Sequence, residues 1–324
     1  MNIYNILKVV VVMEIYNDRE NFPYPFKGKS FRYTNNSVLL DPPSSIKVTD
    51  HYEREVQIKR KLLKEHPDRC YQSLPDTLEA QWEAFSLVAD NLATYFPEKF
   101  SLLKKGREWC FSNKVLNEQH SFIFGDGSSL PVEPLDFIGR HVQEDLILMV
   151  QKDGELFLDA GQLCFPANWS LAFNLGMSFK ELHFPIPGFK DNNLVDRIQA
   201  FILKIEDGAP WVRTNWQMMA GNRLDTPLET FHDWGKVRKQ ITKDNAGELV
   251  HLRVEVQKLF RLPRTHSILF SIHTHLLSLK SFSDNVEWAK QFSAILEELP
   301  SYIYEYKGIA LYREAVIDYL NERV

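Results

Sequence analysis

Val250-His-Leu-Arg-Val-Glu-Val-Gln257 alternates apolar and polar residues without a break. Successive side chains of a β-strand point to opposite faces, so Val250, Leu252, Val254 and Val256 share one face. His251, Arg253, Glu255 and Gln257 share the other. The stretch predicts a strand, and Leu262-Pro-Arg264 followed by an apolar run over 267–277 predicts its hairpin partner. Upstream, 211–219 reads as another strand. Further back, Asp145-Leu-Ile-Leu-Met-Val-Gln151 and the run 156–165 flank Asp153-Gly154. An Asp-Gly pair between apolar runs marks a tight hairpin, because both central positions of such a turn need positive φ.

Helical spacing accounts for much of the remainder. Tyr52, Val56, Lys59 and Leu63 recur at intervals of three and four ahead of Pro67, and Trp82, Phe85, Val88, Ala89 and Leu92 stripe a helix over about 77–95. Further helices are predicted at about 170–176, 191–205, 284–298 and 308–322. Residues 17–50, punctuated by Phe22-Pro-Tyr-Pro25 and Asp41-Pro-Pro-Ser-Ser45, read as loop, and Val9-Val-Val-Val-Met13 as an early strand. Hairpins with helices between and around them indicate an α+β fold on an antiparallel sheet. A single domain is expected over 1–324: a helical flank at about 50–105, a core at about 110–280 and C-terminal helices at about 284–322.

The 324 residues are 44% hydrophobic and 25% charged, the balance of an ordinary globular chain. A net charge of -5, from 38 basic and 43 acidic residues, excludes nucleic-acid binding through a general basic field. Aromatic residues at 13% suit a large core or a pocket for a flat ligand. Cys70, Cys110 and Cys164 form no CxxC pair and, being odd in number, no disulfide framework, so a reducing compartment, the cytoplasm, is expected. No apolar run approaches the roughly 18 residues of a transmembrane helix. Only Lys8 precedes the valine run and no small-residue cleavage site follows it, so no signal peptide is expected. There is no glycine-rich phosphate loop, GxGxxG, GxSxG or HExxH, which excludes Rossmann-type binding of NAD or FAD.

Two sets of histidines bear on chemistry. His183 lies in Glu181-Leu-His-Phe-Pro-Ile-Pro-Gly188, past a short helix that Ser178 would cap. The prolines stiffen the segment, and on its own the imidazole reads as a hydrogen-bonded structural histidine. His273 and His275, two apart on a strand, share a face. With a carboxylate they could bind iron or zinc, the third ligand coming from Glu255 across the hairpin or from His251. The plain alternative is a polar pair on a solvated strand face. Trp169 and Trp216 read as core residues.

Four separated motifs carry a resemblance. Leu163-Cys-Phe-Pro-Ala-Asn-Trp-Ser-Leu-Ala-Phe-Asn-Leu-Gly176, Leu182-His-Phe-Pro-Ile-Pro-Gly-Phe189, Trp211-Val-Arg-Thr-Asn-Trp216, and Arg253-Val-Glu-Val-Gln257 with Arg261-Leu-Pro-Arg264 occur in that order. Together they resemble the haem-dependent oxidative N-demethylase family, α-subunit-like, from about Asp50, through the acidic pair Glu144-Asp145, to about residue 280. The resemblance implies a PAS-like fold carrying haem b. It makes His183, at the histidine-x-proline-x-proline position, the axial ligand of the iron, and Arg213, Arg253 and Arg264 the candidate partners of the haem propionates.

The implied reaction uses dioxygen to remove a methyl group from a small amine. Its electrons would come from a separate flavin and iron–sulfur reductase, since this chain has neither a dinucleotide turn nor four cysteines. An amine cation calls for a carboxylate or an aromatic face, and Glu144, Asp145 and Glu255 are the acids within the motifs. Two departures stand out. Val256 replaces the family's second arginine in arginine-x-glutamate-arginine-glutamine, and Thr214 replaces leucine in arginine-leucine-asparagine-tryptophan. The first removes an anion contact from that strand and points to a different substrate. The alternatives are a haem-binding sensor or carrier without turnover, and a haem-free metalloprotein built on His273 and His275. Neither nucleic acid nor membrane is an expected partner.

Overall fold

In the computed structural model, which describes residues 19–28, 36–187 and 193–324, the chain folds as α+β with two antiparallel sheets. The strands are β1 (Val38–Leu39), β2 (Tyr71–Ser73), β3 (Phe100–Lys105), β4 (Glu108–Asn113), β5 (Glu118–Ile123), β6 (Asp145–Lys152), β7 (Glu155–Gln162), β8 (Trp211–Ala220), β9 (Val250–Arg261) and β10 (Ile268–Ser278). The large sheet has the order β1-β8-β9-β10-β6-β7-β2. Taken in chain order, its five long strands lie second, first, fifth, fourth, third. The early strand expected at 9–13 falls outside the described residues, as do Gly188 and Phe189 of the histidine motif.

Both predicted hairpins form. Asp153 and Gly154 take φ of 50° and 81° in the turn between β6 and β7, the conformation the Asp-Gly pair requires. β9 and β10 pair from Arg261 with Ile268 through to His251 with Ser278, without a register shift.

The helices that matter here are α1 (Tyr52–Glu65), α2 (Leu78–Tyr95), α3 (Pro134–Gly139), α4 (Phe179–His183), α5 (Leu194–Ile202), α6 (Val286–Glu298), α7 (Ser301–Tyr306) and α8 (Arg313–Asn321). Ser178 caps α4 as expected, exchanging hydrogen bonds with Glu181 in a reciprocal capping box. Lys59, which fell within the apolar stripe of α1, is fully buried. Its ammonium donates to the carbonyls of Gly139, Val142 and Glu144, so the helix is tied to the segment leading into β6.

The flank read as helical up to residue 105 is instead completed by β3, which pairs with β4, and β4 with β5, in a separate three-stranded sheet. These strands are short, and the charged end of β3 hides its periodicity. Their apolar side is legible only once Phe100, Phe111 and Phe122 are seen to pack on Trp82, Phe85 and Leu92 of α2.

Each face of the large sheet is covered differently. One face packs Leu146, Leu148 and Leu269 against α2, and Leu252, Val254 and Leu277 against Phe292, Leu296 and Leu320 of the C-terminal helices. The other packs Ile147, Leu158 and Leu259 against Phe179 of α4 and Ile202 of α5. No helix among the described residues is long and apolar enough to cross a membrane.

Candidate functional site

Cross-strand partners in a sheet share a face. Glu255 pairs with Asn215 on β8 and Thr274 on β10, and Arg213 pairs with Gln257. Arg213, Asn215, Arg253, Glu255 and Gln257 therefore stand on the face that α4 covers. His183 ends α4, and its ring rests on Phe179 at 4.1 Å between centroids. Nδ1 lies 2.7 Å from the Phe179 carbonyl oxygen. A carbonyl only accepts, so Nδ1 carries the proton and the lone pair sits on Nε2, the tautomer an axial metal ligand requires. Burial pulls His183 down to about 4, with the Phe179 carbonyl opposing and the nearby Arg213 guanidinium adding to it. The imidazole is thus neutral at pH 7, as ligation demands.

Arg213 is half-buried, and its Nε is enclosed without a hydrogen-bond partner among the described residues. Phe184, next to His183, is 64% exposed. A second cation that the sequence did not single out lies within electrostatic reach of Arg213 and Glu255. Lys307, just beyond α7, donates to the Trp216 carbonyl at 2.8 Å and lies 4.3 Å from the centre of the Trp216 ring. Burial lowers it to about 8, against the pull of Glu255 and with Arg213 repelling it. No local motif surrounds this lysine, so only the fold could reveal it. Trp216 is half-buried, packed edge-on against Phe26 and Phe292.

The remaining sequence candidates separate. Arg253 is wholly buried and makes four donated bonds, to Glu255, the Leu224 and Phe165 carbonyls and the Thr274 hydroxyl. Arg264 lies at the β9–β10 turn beside Glu83 of α2, 57% exposed. Asp145 is seated on the Cys164 and Phe165 amides at 2.8 Å each, and burial raises it to about 6 despite Lys59 and those amides. Glu144 accepts from the Lys47 amide and contacts His273 at 3.0 Å. Of the three acids, only Glu255 is brought to Arg213. It is held there by Asn215, Gln257 and Arg253.

His273 and His275 do not lie on a solvated face. His273 is 3% exposed and His275 half-buried, because residues 47–51 and Phe22 cover that side of β10. The proposed third ligands are also misplaced. Glu255 pairs with Thr274 and His251 with Ser278, so both belong to the opposite face.

Glu118, His120 and His141 bring their ligand atoms within 4.8 Å of one another. Arg60 already occupies that cluster, forking Glu118 at 2.6 and 2.8 Å and lying 3.3 Å from His141 Nδ1. Asn113 also approaches Nδ1, at 3.2 Å. Two donors on one nitrogen keep His141 neutral, and burial followed by Arg60 pushes it down to about 3. Burial likewise lowers His251 to about 4. Above about pH 6.5 these imidazoles are neutral folded or unfolded. As pH falls below that, the unfolded chain takes up protons the folded chain refuses, and stability is lost. Asp145 acts in the opposite sense between about 6 and 3.8, where its folded form holds the extra proton. His275 is lowered as well and Glu55 raised, both by burial; four depressed imidazoles outweigh two raised carboxyls, so the urea midpoint is expected to drop between pH 7 and 5. An equal or higher midpoint at pH 5 would refute this balance.

Residues 38–317 match the family model described as haem-dependent oxidative N-demethylase, alpha subunit-like, a span longer at both ends than the motifs alone cover. The chain belongs to that haem-dependent family.

Proposed function

We propose that the chain binds haem b on the sheet face carrying Arg213 and Glu255, with His183 Nε2 as the axial ligand, and removes a methyl group from a small amine with dioxygen. The observation that carries this is Arg213 beside His183 on one face: His183 is held in the ligating tautomer by a carbonyl, and Arg213 has a buried donor with no partner among the described residues. An imidazole and an unsatisfied guanidinium match the two polar parts of a haem, its iron and its propionates. Phe184 and Trp211, which shares the face of Arg213, supply apolar surface for the ring.

Bound haem supplies the oxidative chemistry. Arg213 and Lys307 would hold the carboxylates, and Glu255 is the acid positioned to keep a proton near the amine. Arg253 and Arg264 drop from the set, the first because its guanidinium is engaged in structural bonds, the second because it sits at the distant turn with Glu83. The strand order second-first-fifth-fourth-third supports a PAS-like reading of the core. The setting we propose is the cytoplasm, with a separate flavin and iron–sulfur reductase delivering single electrons.

The test is to titrate the purified chain with haem, then supply amine, oxygen, NADPH and such a reductase, and follow formaldehyde. A stoichiometric Soret band, with formaldehyde released only when the reductase is present, is the expected result. No haem uptake would end the proposal. Haem uptake without formaldehyde across several amines and reductases would favour the sensor or carrier.

A further inference from the structure

Cys70 and Cys164, far apart in sequence, are brought together by the fold. Cys70 ends a four-residue helix, Pro67–Cys70, that runs straight into β2, and Cys164 lies just past β7. Tyr71 pairs with Gln162 across those strands, and the Leu163 amide donates to the Cys70 carbonyl at 2.8 Å. The ladder thus sets the two cysteines side by side, and the Cys164 thiol hydrogen-bonds to the Cys70 sulfur. Neighbouring strands lie about 4.8 Å apart, within the Cα separation of roughly 4.4–6.8 Å that a disulfide spans. Both cysteines are wholly buried, packed with Leu63, Phe165 and Leu276.

The two thiols differ in character. Arg69 Nη2 lies 3.7 Å from Cys70 Sγ and 3.2 Å from Asp225. The hydrogen bond from Cys164, aided by that guanidinium, holds Cys70 below the ordinary thiol value against burial. Cys164 is pushed well above it, by burial and by the bond it shares with Cys70. A thiolate is the nucleophile, so Cys70 is the one to be oxidised first and Cys164 the one to resolve it. Residues 64–68, just ahead of Cys70, are all exposed, and a single helical turn opens locally at small cost. A molecule the size of hydrogen peroxide needs no more than that.

We propose that Cys70 and Cys164 form an oxidation site that hydrogen peroxide converts to a reversible disulfide, with Cys70 attacking and Cys164 resolving. The Cys70 thiolate attacks one peroxide oxygen and the O–O bond breaks, giving a sulfenic acid, while the departing hydroxide takes a proton and leaves as water. The Cys164 thiol then attacks that sulfur. The S–S bond forms, the S–O bond breaks, and the thiol proton leaves with the hydroxyl as a second water. Two thiols lose two electrons and one peroxide gains them. In a reducing compartment such a bond is transient and reports oxidant. Cys164 adjoins Phe165, whose carbonyl accepts from Arg253, the residue that bonds Glu255. The bridge therefore forms beside a contact that holds the candidate site.

The test uses the full chain without haem or amine, so it stands apart from the proposed function. Reduced chain, treated in native buffer with a modest excess of hydrogen peroxide, is expected to lose two hydrogens by intact mass. Of its three thiols, Cys110 alone should remain titratable once the chain is denatured. Peptide mapping should join Cys70 to Cys164, and dithiothreitol should restore both. Cys110 is the half-buried thiol, so oxidation governed by exposure alone would take it first. Cys164→Ala should stop at a sulfenic acid on Cys70 that dimedone captures, and Cys70→Ala should leave Cys164 a thiol. The wild-type mass and map decide the matter where a variant does not fold. Three thiols kept by the native chain, a bridge that forms only in denaturant, a disulfide through Cys110, or dimedone captured at Cys164 would each overturn the proposal.

Discussion

Replacing His183 by alanine is expected to displace or abolish the Soret band and to reduce formaldehyde release to background. In the proposed site one imidazole supplies the iron's protein ligand. Losing even an outer partner of a metal-bound histidine costs roughly 10–100-fold in affinity, and losing the ligand itself costs at least that. The fold should survive, because His183 is half-buried at the end of a five-residue helix whose capping box lies at the other end. Circular dichroism and the thermal midpoint are therefore expected to stay near wild type while the haem spectrum changes. Full haem content with an unaltered spectrum would remove His183 from the site.

The second large effect is on stability. Arg253→Met should destabilise the chain by about 3–5 kcal/mol, the range for breaking a buried ion pair by removing one partner. The guanidinium joins three otherwise separate segments, through the Phe165 and Leu224 carbonyls and Thr274, and it bonds Glu255. Methionine fills much of its volume but leaves two carbonyls and a carboxylate without that donor. Urea denaturation should show a lower midpoint with an unchanged slope. A loss below about 1 kcal/mol would mean that the guanidinium is dispensable to the fold and available to a ligand.

The hairpins were legible because their signals are local. Asp153-Gly154 permits few other turns, and the alternation at 250–257 has one period. The β3–β4–β5 sheet was not legible, since strands of six residues become recognisable only against the helix they cover. For the site, His183 and Arg213 stood out through their motifs. Arg253 stood out equally, yet a sequence does not distinguish a guanidinium already bonded from one awaiting a ligand. Parity correctly joined His273 to His275, but solvation was misjudged because the covering residues 47–51 lie far away in sequence. The error over Glu255 was one of register, fixed by the Arg261–Ile268 pairing at the turn. A one-residue difference there exchanges faces.

The pairing of β6 with β10 bears on how the chain is synthesised. Residues 145–149 complete their ladder only with 268–272. On the ribosome, the β6–β7 hairpin emerges long before that partner and meanwhile presents an open strand edge formed by Asp145-Leu-Ile-Leu-Met149. Such an edge recruits other strands, including those of neighbouring nascent chains. A long-range closure is also intrinsically slow. Yield of soluble protein should therefore respond to chaperone supply and to growth temperature more strongly than the stability of the finished fold would suggest.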